Sequence, residues 1–164
     1  KTYLDVFVKY HAEGDFFVFK QNNDESVEPQ ALLKLKTISI EDSRNNIASL
    51  HEFYNDDGNL ESGYLFKLFD GESIRVFKRV EKKFKIGKKS PNSMVSDIPN
   101  TFKEDTYYLI SISDEPISHF SLKKRTIKKR FGKEALRSIK KHDLRLKNDE
   151  DITKVFSIIE DTVL

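Results

Sequence analysis

The sequence predicts an α+β fold: an antiparallel β-sheet of hairpins over residues 2–113, then a C-terminal helical lobe of about three short helices. Three observations carry this. Residues 63–87, GYLFKLFDGESIRVFKRVEKKFKIG, alternate in two apolar/polar runs about Asp70-Gly71. The apolar spacing changes from two to three or four after Pro116. Ile152, Val155, Phe156, Ile159 and Val163 then recur at i, i+3, i+4, i+7 and i+11, one face of a helix. The 164 residues fit one domain, 1–164, with a sheet part at 1–115 and the lobe at 116–164.

Taken in order, Thr2 to Tyr10 is β-branched and aromatic, with Leu4, Val6, Val8 and Tyr10 at period two. A turn at His11–Asp15, with Gly14 to supply positive φ, leads to a return strand at Phe16–Lys20. Gln21–Gln30 is polar and holds Pro29, a loop. Ala31–Ile40 alternates leucine and lysine, a third strand. Ile47–Tyr54 fits a short helix or a strand, and Asn55–Asn59 is a turn in either case. In 63–87, Asp70-Gly71 suits a type I′ hairpin turn. Val80–Lys83 reads as a second, charged turn, and Phe84–Ile86 as a brief strand ended by Gly87. Lys88–Asp105, with Pro91 and Pro99, is the longest loop, and Thr106–Ser113 the last strand. Phe120, Ile127 and Phe131 mark a basic helix stopped by Gly132; Ala135, Leu136 and Ile139 mark a second. Asn148 caps a third, with Asp149, Glu150 and Asp151 in its first turn. Residues 8–20 also align without gaps on 66–78, which suggests a duplicated hairpin.

Composition sets bounds. Apolar content is 37% and charged content 34%, offset by thirteen Phe and six Tyr, so the core is aromatic. With no cysteine there is neither a disulfide scaffold nor a Cys-based metal or redox site. No run nears the roughly 18 apolar residues of a membrane span. The first residue is Lys1 rather than Met, as after removal of a leader or trimming of the chain.

The strongest chemical signal is charge. Lys123–Lys147 holds twelve Lys/Arg against Glu134 and Asp143, a net +10, while the whole chain is only +2. Within it Lys124, Arg125, Lys128, Lys129 and Arg130 are the candidate anion-binding residues, suited to phosphate or another polyanion through counterion release. The segment lacks a recognition helix with Asn, Gln, Ser or Arg at base-reading positions, and lysine outnumbers arginine, so sequence-specific DNA recognition is not expected. Asn55–Asn59 offers oxygen ligands, but a calcium loop counted from Asn55 needs Gly at position 60 and Glu at 66, where Leu60 and Phe66 stand. His11, His51, His119 and His142 are widely spaced; His51-Glu52 is the one acid–base pairing of note. Nucleophile-elbow and phosphate-loop motifs are absent. The sequence therefore assigns no catalytic residue, metal or cofactor. The ligand expected is a protein or a polyanion.

The tail from Ser121, with the link Leu144-Arg145-Leu146-Lys147-Asn148-Asp149-Glu150-Asp151 before an amphipathic closing helix, resembles the ends of uncharacterised exported proteins of Bacteroidota. That resemblance covers about a quarter of the chain and implies a periplasmic or secreted protein. Residues 52–63, EFYNDDGNLESG, look like one unit of the MORN-type hairpin repeats, present here once where such arrays carry several. The expected function is a non-catalytic exported or cell-envelope binding module. The alternatives are polyanion or nucleic-acid binding through 123–147, and an enzyme of unrecognised constellation.

Overall fold

A computed structural model of the chain describes residues 2–4, 6–89 and 96–163, Val163 by its backbone alone. Pro91, in the expected long loop, and the side chain of Val163, on the expected helical face, lie outside the described residues. The fold is α+β, with nine strands and two helices among the described residues. The strands are β1 (Phe7–His11), β2 (Phe16–Lys20), β3 (Gln30–Ala31), β4 (Ser39–Glu41), β5 (Ile47–Tyr54), β6 (Leu60–Asp70), β7 (Ile74–Lys85), β8 (Thr101–Ile112) and β9 (Ser118–His119). The helices are α1 (Lys124–Lys141) and α2 (Asp149–Val163). No helix among the described residues is long and apolar enough to cross a membrane.

The chain divides into two compact units, one of residues 1–34 and 80–106, the other of 35–79 and 107–164. The first holds the sheet β1-β2-β3, in which β1 and β2 pair antiparallel from Phe7↔Lys20 to His11↔Phe16. Asp15, rather than Gly14, takes the positive φ of the connecting turn (52°). The expected strand from Thr2 begins only at Phe7. The second unit is organised by the order β4-β5-β6-β7-β8-β9, with β9 also pairing parallel to β5 through Tyr54↔Ser118. The sheet is thus mixed, and it closes on itself.

Closure gives the second unit two cores. On the inner face Phe53, Leu65, Phe77 and Leu109 pack together with Ile117. On the outer face Ile74, Val76 and Ile110 meet the helices. Ile152, Val155, Phe156 and Ile159 of α2 are all 0% exposed, and each such burial contributes roughly 1.5–3 kcal/mol. Phe120, Phe131 and Phe156 form a three-ring cluster, every pair edge-to-face at 6.0–6.1 Å. Asn148 caps α2 as the sequence predicts: its Oδ1 accepts the Asp151 N–H at 2.7 Å.

Several expectations are corrected. The lobe has two helices, not three. The two segments read as separate helices form the single element α1, inside which Gly132 leaves helical geometry at φ 84°. That left-handed value strains any L side chain, so glycine interrupts the helix at this residue, and the chain resumes its helix at once. Ile47–Tyr54 is strand, with Ala48 and Phe53 buried and Glu52 and Tyr54 exposed. Val80–Lys83 is not a turn, because β7 runs unbroken to Lys85. Ala31–Ile40 is not one strand: only Ala31 and Ser39–Ile40 pair, and Leu33 and Leu35 are exposed. Their alternation has no apolar layer to face. The long loop is shortened by β8, which begins at Thr101, and by a bridge between Lys88 and Ile98.

The β6–β7 turn is also not type I′. Neither Asp70 nor Gly71 has positive φ; Asp70 pairs with Arg75, and residues 71–73 form a wider loop. Its amides find a distant acceptor. Glu160 Oε1 of α2 accepts the N–H of Ser73 at 2.6 Å and of Ile74 at 2.9 Å. A Cβ on Gly71 would lie 1.8 Å from Glu160 Oε2, so glycine is needed here for space. The suggested duplication fares poorly too. The alignment equates Val8↔Phe19 with Phe66↔Phe77, yet Phe66 pairs with Lys78 and a bulge follows at Lys67–Phe69.

Candidate functional site

The candidate site is the solvent face of α1. Its buried ridge is Ile127, Phe131, Ala135 and Ile139, which docks the helix and turns its other side outward. All twelve bases of Lys123–Lys147 are exposed. Among the described residues only two of them are ion-paired, Arg130 with Glu115 and Arg137 with Glu134.

The five residues singled out by sequence are not equivalent. At about 100° per residue, Lys124, Lys128, Arg125 and Lys129 lie within an arc of about 140°, as two adjacent i, i+4 pairs spread over roughly 7.5 Å of helix. Arg130 stands about 100° beyond Lys129 and its guanidinium is engaged by the Glu115 carboxylate. Four of the five therefore present a continuous cationic strip, and the fifth is a structural contact. A convex strip has no walls to desolvate a small anion. It suits an extended polyanion that meets several charges at once.

Two arrangements escaped the sequence reading. The first is on the inner face of the sheet, where Ser49 Oγ and His51 Nε2 are 2.8 Å apart. The His51 ring leans on Phe77 at 5.0 Å. Burial, then the nearby Arg75 guanidinium, hold the imidazole below its ordinary pKa. Arg75 in turn donates to Ser111 Oγ at 3.2 Å, and Ser111 donates to the Glu115 carbonyl at 2.8 Å. Ser49 and His51 share a face because they are two apart on β5, a spacing too common to signal anything in a sequence. Chemically this is a hydrogen-bonded hydroxyl and neutral imidazole. Among the described residues no carboxylate bonds to the ring, and the expected partner Glu52 instead pairs with Lys36 at 2.9 Å. The second arrangement is an open groove of about 540 Å³ between the end of α1 and α2, lined by Phe69, His142, Leu144, Lys154 and Ile158 among others. Lys154 is held there by Glu150 at 2.7 Å.

The other histidines and the acidic turn have plain structural roles. His119 Nδ1 lies 3.0 Å from Asp56, and His11 stacks on Phe16. Asn55 Oδ1 accepts the N–H groups of Asp57 and Asn59 at 3.0 and 2.9 Å, which closes the β5–β6 turn. No family model, no curated protein and no solved structure matches this chain.

Proposed function

We propose that the chain is a non-catalytic binding module that holds a polyanion against the exposed strip Lys124, Arg125, Lys128 and Lys129 of α1. One observation carries the reading: these four bases are exposed side by side and, among the described residues, none is ion-paired. Charge kept apart from its acidic partners is available to a ligand. Recognition by such a strip is by charge density rather than by base sequence. The location we propose, periplasmic or extracellular, rests on the resemblance of the tail to exported proteins.

The test is a variant with Lys124, Arg125, Lys128 and Lys129 all changed to glutamine. The residues are exposed, so the fold should persist. Binding to a DNA duplex, used as a generic polyanion at low salt, should weaken on the order of a hundredfold. Unchanged affinity in the folded variant would defeat the proposal. Equal affinity for duplexes of unrelated sequence is also expected.

A further inference from the structure

The inner face of the closed sheet changes character along its length. Phe53, Leu65, Phe77 and Leu109 fill it with apolar side chains. Side chains two residues apart on a strand share a face, and at that spacing from the inner core the residues turn polar. His51 and then Ser49 follow on β5, Arg75 stands on β7 and Ser111 on β8. β9 closes the sheet at Tyr54 and Ile110. The polar residues lie past that closure, at the end where β6 turns into β7.

Arg75 is a cation without an acid. It is exposed, and among the described residues no carboxylate is ion-paired with it. Asp70, its cross-strand neighbour, pairs instead with Lys67 at 2.8 Å, and the Glu115 carboxylate pairs with Arg130. The guanidinium is positioned by a neutral group: Nη2 donates to Ser111 Oγ at 3.2 Å. Ser111, 1% exposed, is itself fixed by donating to the Glu115 carbonyl at 2.8 Å. One of the five guanidinium N–H donors is thereby engaged.

The Ser49–His51 pair supplies a further donor whichever way its proton lies. If His51 Nε2 accepts from the Ser49 hydroxyl, the neutral ring carries its proton on Nδ1; if Nε2 donates, the hydroxyl hydrogen is released for another acceptor. Burial, then Arg75, disfavour the charged imidazole, and Lys67 cancels Asp70. The group as a whole therefore carries one net positive charge. That suits a single negative charge spread over a planar two-oxygen group, which a guanidinium meets with two parallel N–H···O bonds. A phosphate dianion would leave one charge unmatched. We infer that this end of the sheet binds a small carboxylate, with Arg75 as its anchor and the Ser49–His51 pair as a second donor. The site is separate from the basic strip of α1.

The test is an NMR titration of the wild-type chain with sodium acetate, against sodium chloride at equal ionic strength. Saturable shifts are expected at the Arg75 Nε–H, the His51 ring and the Ser49 amide, with a dissociation constant on the order of millimolar for so small a ligand. Arg75→Gln should abolish saturation. Arg75→Lys keeps the charge but loses the two-bond fit, and should weaken binding on the order of tenfold. Inorganic phosphate should bind these residues more weakly than acetate. Shifts that never saturate, or that gather on α1 and spare these three residues, overturn the inference. So does phosphate preferred over acetate, or an Arg75→Lys variant that binds acetate as tightly as wild type. If Arg75→Gln fails to fold by circular dichroism, the wild-type shift map and Arg75→Lys decide the matter.

Discussion

Replacing Gly71 by alanine should destabilise the chain by about 1–3 kcal/mol, for a reason that does not lie in its own backbone. Gly71 does not sit at positive φ, so alanine suits the conformation and would by itself stabilise by about 0.4–1 kcal/mol through the unfolded chain. The cost comes from Glu160. The new Cβ would stand 1.8 Å from Oε2 and 2.4 Å from the carboxyl carbon. The side chain is flexible, so it swings away at little steric expense, but it takes with it the acceptor for Ser73 and Ile74. A hydrogen bond to a charged group contributes about 1.5–3 kcal/mol, and an amide left without its partner costs more when buried; the Ile74 residue is 0% exposed. Glu160→Ala should cause a loss of the same size. The two should not add. Once the carboxylate is gone, Gly71→Ala has nothing to displace, and it should become neutral or slightly stabilising. Urea melts of the two single variants and the double variant give the coupling directly. Additive losses would refute this account of the turn. So would a Gly71→Ala variant as stable as wild type.

Two further outcomes follow from the cores. Phe156→Ala removes a fully buried ring that contacts both Phe120 and Phe131; a loss of about 3–5 kcal/mol is expected, read as a fall in melting temperature on the order of 10 °C, and a fall within error would contradict the docking of α2. His51 has a native pKa below its unfolded value of about 6.5, so the native state binds fewer protons than the unfolded chain as acid is added. Its contribution is complete above that value and is lost as pH falls through and below it; His51→Gln should flatten the slope of stability between about pH 7.5 and 5.5, and an unchanged slope would contradict the burial of this ring.

Much of this fold can be read from local pattern, and the failures share a cause. Alternation in Tyr64–Phe69 and the i, i+3, i+4, i+7 spacing of Ile152–Ile159 place β6 and α2, because each burial surface repeats with the element's own period. Asn148 is legible for the same reason: a cap is a local contact. The turn at Gly71 is not, because its amides are satisfied by a carboxylate 86 and 87 positions away. Leu33 and Leu35 alternate as a strand should, yet no layer receives them. Ile47–Tyr54 confuses both periods, since its two buried residues, Ala48 and Phe53, fall on opposite faces of the strand and leave no strict alternation. The candidate site was legible as charge but not as geometry. Composition singles out five bases; only the helix docked on Ile127 and Phe131, with Glu115 reaching Arg130, shows that four of them form a strip.

The central claim is that this strip binds polyanions by charge alone. It is tested most directly by the salt dependence of wild-type binding to a DNA duplex. The logarithm of the association constant should fall linearly with the logarithm of salt concentration, with a slope of about −3 to −4 for four engaged bases. A slope near zero, or no binding even at the lowest salt, would contradict the account.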